Sequence, residues 1–317
     1  MKKLILIIIF FGIATSYMFA QADAHFSLFE YSQNIVNPGA AGANDAFCFT
    51  TSHRQQWVGY GGGEGRPIST LFSFDMPLNA IKSGLGIAVL QDKLGFQSDI
   101  QLKLNYAYRL KVGDVGILGI GLGLGMVNRS INPEWETSAS FNNGQVYDDP
   151  ALPHMENITV FDMNFGITLY GKDFWAGLSS THLTGPKMTY NVEAVSRLVQ
   201  HIYLMGGYTL HLPNPSFDII ASGMLQTDRF SKAEFQINAK FMYEKKFWAG
   251  ISGRLDAIVP MVGVHLPLGP GAISFAYCYD IKLNKIGASG SHELMARYCF
   301  NLERNNTPTR EKTVRRL

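Results

Sequence analysis

Charge is scarce in this sequence. Asp, Glu, Lys and Arg make up 16% of its 317 residues, against roughly 25% in an average soluble domain. A shortage of that size suits a chain with much of its exterior out of water. Cysteine is also scarce: Cys48, Cys278 and Cys299 are the three, too few for a disulfide scaffold. None lies near the leader, which argues against a lipid-anchored N-terminus. Beyond the leader no run reaches the ~18 apolar residues of a spanning helix. Chemistry is missing as well. The eight histidines are scattered without metal-ligand spacing, and no nucleophile elbow, phosphate loop or calcium loop is present. Asp148-Asp149 reads as a solvated acidic turn. The expectation is therefore no cofactor, no metal residue and no catalytic residue. A Ser/His/acid trio assembled from separate loops is the remaining route to an enzyme. Formal net charge is +2, but Lys2, Lys3 and a basic C-terminal stretch supply it. The middle is slightly acidic and offers no face for nucleic acid.

What is present begins with an export signal. Lys2-Lys3 precedes an apolar run from Leu4 to Ala14, and Ala20-Gln21-Ala22 sets an A-x-A cleavage site before Asp23. A cut before Gln21 is the alternative. An exported chain without spanning helices but with many alternating strands points to the outer membrane of a Gram-negative cell.

The stretch Asp99 to Leu110, DIQLKLNYAYRL, carries the alternation most clearly. Ile100, Leu102, Leu104, Tyr106, Tyr108 and Leu110 share one face, and Asp99, Gln101, Lys103, Asn105, Ala107 and Arg109 share the other. A period of two is a β-strand. A soluble sandwich strand would alternate in the same way, with its apolar face inward. Ala233 to Tyr243 repeats the pattern, and both stretches have the length of a tilted membrane-crossing strand. Strands are expected at 46–55, 68–76, 84–92, 98–110, 114–128, 158–170, 173–181, 199–211, 216–226, 232–243, 246–254, 257–266, 271–281 and 291–300. That makes a transmembrane antiparallel β-barrel of about fourteen strands. The chain then divides into a signal peptide (1–22), a lead-in segment (23–45), the barrel (46–300) and a basic tail (301–317).

The connections alternate between tight turns, such as Gly171-Lys172 and Glu244-Lys245, and mostly longer loops, such as Asn128–Asn157 and Thr181–Val199. Barrels of this kind place short turns in the periplasm and long loops outside. Tyr106, Tyr108, Phe241, Tyr243, Tyr298 and Phe300, with Phe174, Trp175, Phe247 and Trp248, fall at the short-turn end and read as an aromatic girdle. YGKDFWAGLS from Tyr170 and YEKKFWAGIS from Tyr243 are two similar hairpins there. Gly119, Gly121, Gly123 and Gly125 occupy one strand face. They lack the G-x-G-x-x-G spacing of a nucleotide loop, and such a stripe lets something pack closely. An inward-folded loop or the 23–44 segment would fill that place, so the lumen is expected to be plugged. Asp280, Glu293 and Arg297 point inward with Arg254 on a neighbouring hairpin, and buried charges must be paired. They read as a structural lumenal network, with a transport site the lesser reading. Cys48 and Cys299 fall at the same end of the first and last strands. A bond across the seam is open, because barrel stagger could separate them. Cys278 is expected to stay unpaired.

Several short pieces, in order, resemble the PorP/SprF family of outer-membrane proteins in the type IX secretion and gliding-motility machinery of Bacteroidetes. His25-Phe26-Ser27 and Asn37-Pro38-Gly39-Ala40-Ala41-Gly42 are similar to its H-F-S and N-P-A-x-A-G opening, with Gly39-Ala40 in place of the commoner proline-alanine. Arg54-Gln55-Gln56-Trp57 resembles R-x-Q-W, and Asn105-Tyr106-Ala107-Tyr108-Arg109 resembles Y-A-Y-R-L. Asp92 to Gly95, Trp175 to Leu183, Tyr279-Asp280-Ile281 and Gly290 to Leu294 also match family segments. The tail after Phe300 departs from barrels that finish on an aromatic residue. The resemblance implies a non-enzymatic role beside periplasmic secretion and motor proteins, or in holding secreted adhesins at the cell surface. Outer-membrane lipid and those proteins would be its partners. Arg304, Arg310, Lys312, Arg315 and Arg316 in the tail are the candidate periplasmic contact. A small-solute channel is the competing function.

Overall fold

The computed structural model describes residues 23–59, 65–132, 155–190, 195–229, 232–283 and 290–300. The sequence readings on the signal peptide, on Asp148-Asp149 and on the basic tail lie outside the described residues. Sixteen strands follow in chain order: β1 (Phe47–Gln55), β2 (Ile68–Leu78), β3 (Ser83–Leu94), β4 (Gln97–Val112), β5 (Gly116–Ile131), β6 (Glu156–Tyr170), β7 (Phe174–Thr181), β8 (Lys187–Thr189), β9 (Val195–Arg197), β10 (His201–His211), β11 (Phe217–Asp228), β12 (Lys232–Tyr243), β13 (Phe247–Arg254), β14 (Ala257–Leu268), β15 (Gly271–Lys282) and β16 (Ser291–Phe300). Fourteen of them form one closed antiparallel barrel, in which β7 pairs with β10 and β1 with β16. The two short strands β8 and β9 make a separate hairpin in the β7–β10 connection, where the sequence reading had only a loop.

Burial separates a barrel in lipid from a soluble sandwich. On β4, Leu104 is 54% exposed and Tyr106 44%, while Lys103 and Asn105 between them are 2% exposed. On β12, Ile237 is 60% exposed and its neighbour Asn238 is fully buried. The apolar face is therefore outside and the polar face inside, the reverse of a water-soluble core and the pattern of a lipid-embedded wall.

Closure brings the first and last strands together at the end where the tight turns lie. Cys48 stands opposite Cys299 in the β1–β16 register, and the two are disulfide-bonded with Cα atoms 4.1 Å apart. Cys278 is free and buried. Phe47, Phe49, Phe74, Tyr298 and Phe300 stack around this seam. Two aromatics depart from the expected girdle. Trp248 is buried against Leu28 and Met261 inside the barrel. Trp175 packs on Phe29, ring centroids 6.4 Å apart. Each lies next to an outward neighbour, and the period of two sends it to the lumen.

Candidate functional site

The lumen contains the chain's own residues 23–46, running from the long-loop end to the tight-turn end. Apolar anchors seat this segment on the inner wall. Phe26 packs with Leu71, Ala88 and Leu90, Leu28 with Val259, Met261 and Met295, and Phe29 with Tyr203, Met205 and Met224. Each such burial is worth about 1.5–3 kcal/mol relative to exposure. Below them the chain makes one helical turn, Gln33–Val36, two of whose carbonyls are taken up by the wall. Lys103 donates to the Ile35 carbonyl at 3.0 Å, and Asn105 to that of Asn34 at 2.6 Å.

The next stretch, Pro38-Gly39-Ala40-Ala41-Gly42, has almost no side-chain volume, and the wall facing it has little more. A Cβ on Gly39 would stand 2.8 Å from the Gly166 carbonyl oxygen. One on Gly121 would overlap the Pro38 backbone, and one on Gly84 the Ala41 carbonyl. The glycine face of β5 therefore serves close backbone approach at Gly119 and Gly121. Asn37 donates to the Ile167 carbonyl at 3.2 Å and accepts from the Gly39 amide at 2.9 Å, which fixes the entry into this stretch.

Ser27 lies at the centre of a buried ionic cluster. Glu293 accepts the Ser27 amide at 2.8 Å and the Leu28 amide at 3.0 Å. Arg54 donates to Glu293 at 2.9 Å, to Asp280 at 2.5 Å and to the Ser27 hydroxyl at 2.9 Å. Arg254 donates to Asp280 at 2.5 Å and to the same hydroxyl at 3.1 Å. Two guanidinium groups face two carboxylates, so the cluster is neutral, as burial requires. Asp280, Glu293 and Arg254 thus meet as a group, together with Arg54, which the sequence placed only in a motif. Arg297 lies apart, two inward positions further along β16. It sits over the Tyr31 ring at 5.9 Å and lines a cavity of about 240 Å³ with Glu30, Asp75, Tyr170 and Lys240. Lys240 in turn pairs with Glu30 at 2.5 Å.

Three further polar contacts involve wall residues. Arg129 makes a forked pair with Asp99. Arg109 holds Asp45 at 2.6 Å where the segment leaves the lumen. In the turn between β13 and β14, partial burial would raise the Asp256 carboxyl, but Lys282 and Arg254 hold it below its usual range. At the opposite end of the segment, Asp23 accepts from Thr181 at 3.0 Å and Tyr203 at 2.8 Å and meets His182 Nε2 at 2.8 Å. No spacing in the sequence links residues 23, 182 and 201. Only barrel closure and the inward path of the segment bring them together.

Comparisons with known proteins agree with this architecture. The family described as "Type IX secretion system membrane protein PorP/SprF" matches residues 18–298. No curated protein sequence matches the chain. Among solved structures, the chain is similar to the CymD monoaromatic hydrocarbon channel at 9% identity and TM-score 0.50, covering 89% of this chain and 95% of that one. The Pseudomonas putida toluene transporter TodX matches at 9% identity and TM-score 0.46, over 84% and 92% of the two chains. Omp33 of Acinetobacter baumannii matches at 6% identity and TM-score 0.42, over 81% and 98%. At these identities CymD speaks to the fold alone, that of an outer-membrane barrel. With the family match and the outer-membrane fold, the protein is placed in the outer membrane, and the chain belongs to the PorP/SprF family of type IX secretion system membrane proteins.

Proposed function

We propose that this protein is a non-enzymatic, non-conducting barrel that serves type IX secretion as a protein-binding platform. It links periplasmic secretion or motor parts, or holds secreted adhesins at the cell surface. The observation that carries the reading is the anchoring of residues 23–46 inside the lumen, by three apolar seats and by the Ser27–Arg54–Glu293–Asp280–Arg254 cluster. A chain fixed across the lumen in this way plugs it, which weighs against a small-solute channel. With the lumen closed, the surfaces left for work are the two rims. On the periplasmic rim the tail residues Arg304, Arg310, Lys312, Arg315 and Arg316 would meet an acidic partner by salt-sensitive attraction.

Deletion of the gene tests the reading, with complementation by the wild-type chain and by a chain lacking 301–317. Loss of type IX export or of adhesin display supports the platform role. Export and display at wild-type level in the deletion strain would sink it. The shortened chain, verified as a folded barrel, should recover fewer periplasmic secretion proteins in pull-downs. Undiminished recovery removes the tail from the proposal.

A further inference from the structure

The carboxylate and two imidazoles at the long-loop end of the lumen have a ligand arrangement. One ligand atom each from Asp23, His182 and His201 lies within 4.8 Å of the others. His182 Nε2 is 2.8 Å from Asp23 Oδ1, and His201 Nδ1 is 3.6 Å from Asp23 Oδ2. Tetrahedral zinc, with bonds of about 2.0–2.1 Å, sets its ligand atoms about 3.3 Å apart. Shifts of an ångström or so in three side chains would therefore form the polyhedron.

Two independent observations point to a ligand here. His201 is 3% exposed, and its Nδ1 is buried with no hydrogen-bond partner. A ring nitrogen in that position faces the Asp23 carboxylate at 3.6 Å but has given up its hydration without gaining a hydrogen bond. In addition, the far nitrogen of His182, Nδ1, is 2.9 Å from the fully buried carboxylate of Asp162. That is the carboxylate–histidine arrangement which fixes the tautomer and aims Nε2 at a metal. Thr181 and Tyr203 hold the second Asp23 oxygen, orienting the carboxylate in the same way.

We propose that Asp23, His182 and His201 form a site for one borderline divalent transition metal, zinc in the first instance, with Asp162 as the support of His182. Two nitrogens and one carboxylate suit such ions and not magnesium or calcium, which want oxygen donors. On binding, the hydrogen bond between His182 Nε2 and Asp23 is replaced by two metal–ligand bonds, and its proton leaves to solvent. Water takes the fourth position. The ion would staple the beginning of the lumenal segment to the ends of β7 and β10.

The test uses the full mature barrel, purified without a histidine tag, stripped with chelator and titrated with zinc alone. The expected result is one zinc retained per barrel after desalting. Cobalt in its place should give visible absorption of mixed nitrogen and oxygen coordination. His201→Gln should lose the retained equivalent or weaken binding at least tenfold, while His53→Gln on the lipid face keeps it. Heat-modifiable migration confirms that each variant is folded. His201→Gln leaves the Asp162–His182–Asp23 chain intact, and if it does not fold, the zinc and cobalt titrations of the wild type decide alone. No retained zinc in the wild type, or equal retention by folded His201→Gln, overturns the proposal. The three residues are then a metal-free clasp in which His182 bridges Asp23 and Asp162.

Discussion

Replacing Arg54 by methionine should free the lumenal segment while leaving the wall standing. Methionine keeps much of the side-chain volume and removes the charge. Arg54 now satisfies Glu293, Asp280 and the Ser27 hydroxyl together. Without it, Asp280 retains Arg254, whereas Glu293 keeps only the Ser27 and Leu28 amides. The cluster goes from neutral to a net charge of one buried carboxylate. Removing one partner of a buried pair costs about 3–5 kcal/mol. At 1.4 kcal/mol per tenfold, that is on the order of a hundred- to several-thousand-fold shift toward release of the segment. Hydrogen exchange read by mass spectrometry measures it directly. Peptides covering 26–36 should exchange two to three orders of magnitude faster in Arg54→Met than in wild type, with β4 and β12 unchanged. Adding Glu293→Gln removes the orphaned charge and should restore most of the protection. Two results would rule out this role for Arg54. Exchange of 26–36 within threefold of wild type would mean the cluster does not hold the segment. Uniform acceleration across all strands would mean that it holds the wall.

Gly121→Val forces a side chain into the Pro38 backbone. It should loosen the segment by at least the ~1–3 kcal/mol of an overpacked core, whereas Gly253→Val, with nothing within 4 Å, should not change exchange at 36–42. Cys299→Ser opens a covalent loop with a sequence separation of 251. The chain-entropy account allows up to about 5 kcal/mol for a loop of this length, read as a lower urea midpoint that matches wild type under reductant. Asp256 has a depressed folded pKa, so its contribution is present above the unfolded value and lost as pH falls through the folded one. Amides of the β13–β14 turn should therefore lose protection only in the acid range below about pH 4, and Asp256→Asn should abolish that step.

Most of the wall was legible in the sequence because a membrane strand shows both faces. The alternation in 99–110 is also the alternation of lipid and lumen, and the fourteen expected strands correspond to the fourteen of the barrel. The β8–β9 hairpin was not legible, since three residues a strand are too few to show a period. Face assignment gives direction but not neighbours. Asp280, Glu293 and Arg254 could be placed inside, yet Arg54 joins them only because closure sets it opposite Glu293. By the same logic Arg297 shares a face with Glu293 and still belongs to a different cavity. The glycine stripe announced close packing, and Pro38 and Gly39 are what packs there. The Asp23–His182–His201 group left no local trace, because its members come from a lumenal segment and two strand ends.

Closure of the lumen by the barrel's own N-terminal segment, as proposed above, is decided by conductance in planar bilayers. The wild-type barrel should insert and show no stable ohmic current, and a chain lacking residues 24–44 should conduct in discrete, reproducible steps. Steady single-channel conductance from the wild type, equal to that of the shortened chain, would show that the segment leaves the lumen open.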